Sequence, residues 1–192
     1  MKNLVIILVL SCLNVFCLAQ TTWIIDPTHS SVQFEVSHLT VSSVGGLFTA
    51  YTGTLISKKN DFEDAKVNAT IETASITTNN LERDKHLKDE DFFHVEKFPE
   101  IKFKSTSFKK VGENKYRVTG DLTIRDITKP VTLETDFGGI VSISDKKKAG
   151  FTARGSINRF DYGLKWSDAL DNGGLIVGEK VDIVIKMELV KQ

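Results

Sequence analysis

The sequence predicts an all-β fold, an antiparallel sandwich or barrel with one short helix and an aromatic-rich covering segment. Three observations predict it. Apolar and polar residues alternate with period two along most of the chain, as in strands with one buried and one wet face. Clusters of glycine, asparagine and proline punctuate these runs. No long helical pattern separates them, so the rhythm of a parallel α/β sheet is missing. Periodicity does not choose between sandwich and barrel. The count is about eight or nine strands, and a barrel of about eight is just wide enough to be filled by side chains or to hold one small ligand.

The chain has 192 residues and a formal net charge of zero. This length fits one domain, and the balanced charge favours neither nucleic acid nor an acidic membrane surface. Residues 1–19 read as a secretory signal. Lys2 is a short positive region, Leu4 to Leu10 is apolar, and Cys17-Leu18-Ala19 offers small residues for cleavage before Gln20. Lipid attachment at Cys12 is the poorer fit, because the apolar run before it is short and Leu10 suits such a site badly. Cleavage after Ala19 removes both cysteines, so the expected mature domain, residues 20–192, has no thiol and no disulfide. It is long enough to rest on an apolar core instead. No later apolar run is long enough to span a bilayer.

Each element follows from its pattern. Val32, Phe34 and Val36 alternate with Gln33, Glu35 and Ser37, and Gly45-Gly46 then reads as a turn. Leu47 to Ile56 is strand-like with no single face, since Phe48 and Ile56 share one parity and Tyr51 and Leu55 the other. Val67, Ala69 and Ile71 alternate again. Thr77 to Asn80 supplies helix caps for a helix over Leu81–Glu90, in which Arg83 and Leu87 share a face. Phe92, Phe93 and Phe98 follow without period, Pro99 stops any helix, and Ile101 and Phe103 restart a strand. Tyr116, Val118, Leu122 and Ile124 form the next strand, Asp126 to Pro130 a turn, and Val131, Leu133 and Phe137 another strand that Gly138-Gly139 breaks. Lys146 to Lys148 reads as a solvated hairpin tip, and Phe151, Ala153 and Ile157 as the strand after it. Arg159 to Gly174 is irregular. Val181, Ile183, Ile185, Met187 and Leu189 share one face of the last strand.

No catalytic constellation is visible. The chain has no Gly-x-Ser-x-Gly elbow, phosphate-binding glycine loop or His-Glu-x-x-His. Its histidines, His29, His38, His86 and His94, match no local zinc spacing, so no metal is expected. His29 reads best as a turn residue and His38 as a strand-end residue. The run Asp89-Glu90-Asp91 reads as a solvated face. Arg83-Asp84 and Arg159-Phe160-Asp161 have two readings: structural ion pairs, or cationic contacts for an anionic ligand head group. The aromatics likewise either fill a core or line a cavity.

A set of segments then carries a resemblance. Trp23-x-x-Asp26-x-x-His29-Ser30-x-Val32-x-Phe34-x-Val36-x-His38-Leu39 leads to Gly46-x-Phe48-x-x-Tyr51-x-Gly53. Arg83-Asp84-x-His86-Leu87, Asp91-Phe92-Phe93 and Phe98-Pro99-x-Ile101-x-Phe103 come next. Gly120-Asp121-Leu122-Thr123-Ile124-Arg125, Thr128-Lys129-Pro130-Val131, Asn158-Arg159-x-Asp161-Tyr162-Gly163-Leu164 and Val177-Gly178-x-x-Val181 complete the order. In this order the chain, over about residues 22–190, resembles the YceI-like family of bacterial polyisoprenoid-binding proteins. The resemblance implies an extended, eight-stranded, antiparallel lipocalin-like barrel around a long apolar tunnel. It implies a bound polyisoprenoid, of prenyl phosphate or isoprenoid quinone type, or another long-chain amphiphilic lipid. It also implies periplasmic or secreted localisation and allows a homodimer. It carries over no catalytic residue and no other cofactor.

Strand parity within such a barrel selects the expected tunnel lining. From the first half it takes Phe34, Val36, Phe48, Ile71, Phe92, Phe93 and Phe103. From the second half it takes Leu122, Ile124, Leu133, Phe151, Ile157, Ile183 and Ile185. Arg83, His86, His38 and Arg159 are the candidate head-group contacts. A chain of about twenty buried carbons would gain on the order of 15 kcal/mol at ~0.8 kcal/mol per methylene. The competing readings are an enzyme acting on the bound lipid through His38, His86 or Arg83, and a structural or stress-associated extracytoplasmic protein with a filled core. The segment from Leu81 to Phe98 is expected to cover one region of the barrel.

Overall fold

Period-two sequence becomes one antiparallel sheet closed on itself. The computed structural model describes residues 20–168 and 175–192, so residues 1–19, the expected signal segment, lie outside the described residues. The strands are β1 (Thr21–Ile25), β2 (Ser31–His38), β3 (Ser42–Phe48), β4 (Tyr51–Ser57), β5 (Lys66–Glu72), β6 (Ile76–Thr77), β7 (Glu100–Gly112), β8 (Lys115–Ile124), β9 (Ile127–Ile143), β10 (Lys146–Asn158) and β11 (Val177–Lys191), with helix α1 (Leu81–Lys88) between β6 and β7. The sheet order is β1-β4-β5-β7-β8-β9-β10-β11-β2-β3-β6, and β1 also pairs with β11. β1 continues into β2, and β3 into β4, as two bent staves. The result is an eight-stranded closed barrel, the architecture the resemblance implied. Closure removes the exposed sheet edges that invite aggregation.

Several local expectations are corrected. Gly45 and Gly46 do not turn the chain. They lie inside β3, and Gly46 stands opposite Phe34 of β2. A side chain at Gly46 would overlap the Phe34 ring and the Thr78 methyl, so the glycine there makes room for an aromatic. The turn falls instead at Leu39 and Thr40, both with left-handed backbones. Leu47 to Ile56 is two strands, because the chain bends at Thr49–Ala50. The bend resets the parity, so Phe48, Tyr51 and Leu55 all face the interior.

The helix ends two residues early, at Lys88, with Asn80 accepting the Arg83 N–H at 3.0 Å as its cap. β9 begins at Ile127, and Pro130 sits within it opposite Asp121 rather than starting it. Gly138–Gly139 does not end β9. The strand runs to Ile143, and a register shift at Gly150/Phe151 absorbs the irregularity. The tip of that hairpin is Ser144–Asp145. Lys148 lies inside β10, where its ammonium bridges Glu188 at 2.6 Å and Asp26 at 3.3 Å.

Two apolar clusters pack inside the barrel. One collects Trp23, Leu55, Phe62, Phe108, Tyr116, Phe137 and Phe151 at the end where β4 meets β5 and β7 meets β8. The other collects Val32, Phe48, Ile76, Phe92, Ile101, Leu122, Ile124, Tyr162 and Leu164 beneath α1.

Candidate functional site

The two clusters share Phe103, Ile185 and Met187 at their margins but leave space unfilled. Between them runs a cavity of about 260 Å³ with an apolar wall. All fourteen residues selected by parity border it, among them Phe34, Phe103, Leu133 and Ile185. Twelve of them lie on strands, where inward positions recur at every second residue, and Phe92 and Phe93 lie in the segment after α1. The filled-core reading of these side chains is corrected to the extent of this open space.

The covered end is built from the segment after β6. Phe92 and Phe93 border the cavity, as does Leu87 of α1. The Phe93 ring meets Phe48 edge-on at 5.7 Å, and Phe92 packs on Trp166 at 5.6 Å. Phe98 departs from the expected cluster. Its ring lies under Lys97 and Arg125, against His94, and does not border the cavity.

Polar side chains hold this cover to the rim. Asp84 is buried, and its carboxylate accepts bonds from the Thr77 hydroxyl at 3.0 Å and from the Thr78 N–H and hydroxyl at 2.7 and 2.6 Å. Burial pushes its pKa up, but these bonds outweigh burial and leave it below the usual value. Arg83 donates to the Thr78 hydroxyl at 2.8 Å and to the Thr78 carbonyl at 3.0 Å. Arg83 and Asp84 therefore do not pair with each other; both grip the strand end before α1. His86 bonds Asp91 at 3.1 Å and stacks edge-on against Phe92 and Trp166.

Arg159 is 3% exposed and does border the cavity. It donates to the carbonyls of Gly178, Leu164, Trp166 and Val177 at 2.6–2.8 Å. Its pKa is lowered by burial. Asp161 pairs with Lys129 at 3.1 Å instead. The guanidinium thus pins the chain on both sides of residues 169–174 to the barrel. Of the four head-group candidates, only Arg159 borders the cavity; His38, Arg83 and His86 do not.

The opposite end is only partly legible in the sequence pattern. Phe62 is 1% exposed and sits in the loop after β4, where its backbone is left-handed at φ 60°. Its ring packs on Trp23, Phe137 and Phe151 at 5.4, 5.4 and 5.2 Å. The available signal was one aromatic stranded in the charged run Lys58-Lys59-Asn60-Asp61-Phe62-Glu63-Asp64. Phe108 was equally silent.

Outside the barrel, Asp26, His29 and Glu188 bring three potential ligand atoms within 4.8 Å of one another. Lys148 already supplies the cation there. The His29 ring beside Asp26, at 3.0 Å, is the main reason the Asp26 carboxyl is lowered to about 2.

This closed barrel with an apolar interior matches known proteins. The YceI-like domain profile covers residues 23–189. The chain belongs to the YceI-like family. A UPF0312 protein of Staphylococcus aureus is 39% identical to it over 163 residues, 84% of this chain and 92% of that one. The crystal structure of a Campylobacter jejuni YceI protein superposes with a TM-score of 0.66 at 29% identity, covering 79% of this chain and 87% of that one. A polyisoprenoid-binding domain from Saccharophagus degradans, implicated in plant cell wall breakdown, shares the fold at TM-score 0.64 and 13% identity, over 87% of this chain and 97% of that one. Among the described residues, no helix is long and apolar enough to cross a membrane.

Proposed function

We propose that this YceI-like protein is a binding protein that holds the hydrocarbon chain of an isoprenoid or similar amphiphilic lipid in its barrel, for carriage, storage or sequestration outside the cytoplasm. One observation carries the reading: a barrel of this size keeps an unfilled, apolar cavity where packed interiors leave few voids larger than a water molecule. The polyisoprenoid-binding neighbour supports the choice of ligand class, and the signal-like residues 1–19 support export.

Size refines the proposal. An engineered apolar cavity of about 150 Å³ takes up benzene, so on that scale this one holds on the order of ten carbons. Ten methylenes gain ~8 kcal/mol gross, which association costs of ~4–15 kcal/mol largely offset. A longer chain therefore binds well only if the Leu87–Phe93 cover is displaced or the chain continues past it. Among the described residues, the wall supplies no fixed charge except Arg159, whose donors serve backbone carbonyls. Selection thus rests on the tail more than on the head group.

The test is organic extraction and mass spectrometry of purified protein, followed by loading of the extracted protein with polyprenyl alcohols and a long-chain quinone. A co-purifying or tightly retained long-chain lipid is expected. No apolar ligand in the extract and no uptake of any of these lipids would overturn the reading.

A further inference from the structure

Resting on that reading, we infer that the blind end of the barrel is a stop that gauges ligand chain length, with Phe108 and Phe151 as its floor and Phe62 as the part that holds the floor in place. Buried side chains at the end of the cavity include Leu55, Phe108, Val118, Phe151 and Leu189. Phe62 lies behind this layer and does not border the cavity. Its ring contacts Phe151 from the far side, and Trp23 and Phe137 wedge it there.

The loop that carries Phe62 is folded into the barrel end rather than draped over it. Asp64 N–H donates to the Phe108 carbonyl at 2.9 Å, and the Tyr116 hydroxyl donates to the Asp61 carbonyl. Ala65, next in the loop, has no exposed surface. A bulky aromatic is held in a left-handed conformation that such residues avoid, so the surrounding contacts fix where this ring stands. Thr135, the polar residue near the floor, bonds its hydroxyl to the Leu133 carbonyl at 3.4 Å. Among the described residues no charged side chain borders the cavity at the floor, so the tail end of a chain meets it. At the other end, beneath the cover, Phe34, Val36, Phe93 and Val177 border the cavity. A single-chain amphiphile therefore enters tail first and stops at Phe108 and Phe151.

The test uses the delipidated mature chain and the series butanol, hexanol, octanol, decanol, dodecanol and tetradecanol, with affinities read by calorimetry. In the wild type, affinity rises by about fourfold per methylene until the chain reaches the floor, and then levels off. Phe151→Ala moves that break to alcohols longer by about two to four carbons, because the surroundings only partly collapse into the vacated space. Phe62→Leu moves it the same way by less. Ala153→Phe, which adds a ring inside the cavity near the floor, moves it to shorter alcohols. A purely structural role would lower all affinities together and leave the break in place. That outcome in both Phe151→Ala and Ala153→Phe overturns the gauge alone. Failure of every alcohol to bind the wild-type chain removes the binding reading and the gauge with it.

Discussion

The two ends of the barrel are closed by different physics. At the blind end, Trp23, Phe62, Phe108, Tyr116, Phe137 and Phe151 interlock with ring centroids 4.9–6.3 Å apart. At the covered end, Phe92 and Phe93 border open space, and the segment is fastened by Asp84 and Arg83. Interlocked rings lose their contacts all at once, so that end opens only with the whole barrel. A segment held by a few polar bonds lifts as a local unit, at less than the global free energy. A ligand that needs more room than the resting cavity finds it at the covered end.

Four measurements break or sharpen this comparison. The largest effect is expected for Phe62→Ala, which removes a ring from the interlock and costs ~3–5 kcal/mol in chemical denaturation. Next comes Asp84→Ala, which strands the Thr77 and Thr78 donors and costs ~1–3 kcal/mol. In hydrogen exchange it deprotects α1 and residues 89–98 while the amides of β8 and β9 stay protected. Uniform deprotection would show that the cover is not a separate unit. Phe92→Ala is expected to cost only ~1–2 kcal/mol, since its ring already lacks partners on the cavity side. It should speed the release of bound lipid severalfold. Equal costs for Phe92→Ala and Phe62→Ala would erase the distinction between the ends.

The smallest effect belongs to neither end. Asp26, on the outer wall, has its carboxyl lowered from 3.8 to about 2, chiefly by the hydrogen bond with His29 and then by that with Lys148. A lowered folded-state value stabilises the protein above the ordinary carboxylate range, and the contribution is lost as pH falls towards 2. The stability advantage of wild type over Asp26→Asn should therefore shrink between about pH 4 and pH 2, with lipid release unchanged. An advantage that persists at pH 2 would show that the carboxylate charge is not its source.

The candidate site was legible wherever one local rule governs it. Alternation along a strand places side chains on one face whatever the neighbouring strands do, which is why parity alone found Phe34, Leu133 and Ile185. Local rules failed where a residue answers to a distant partner or leaves the regular ladder. Gly46 read as a turn because glycine's common role is to bend chains, yet its neighbour across the sheet is the Phe34 ring. Phe62 lies in no periodic run, and its burial depends on a loop folding inward. Arginine was legible as a chemistry but not as a contact, since the same guanidinium serves a carboxylate, a phosphate or a carbonyl. Arg83 and Arg159 both use theirs on carbonyls, Arg83 adding the Thr78 hydroxyl.

By itself the sequence determined the strand class, the antiparallel order of elements, the family resemblance and the inward-facing set. These follow from short-range patterns in which each residue answers to its near neighbours. Only the tertiary structure decided that the barrel closes through β1 and β11, that one end is stopped by interlocked rings and the other covered by a polar-fastened segment, and that a cavity of about 260 Å³ survives between them. Those outcomes depend on which distant residues meet and on how completely their volumes fill the space they enclose. No local pattern encodes that sum.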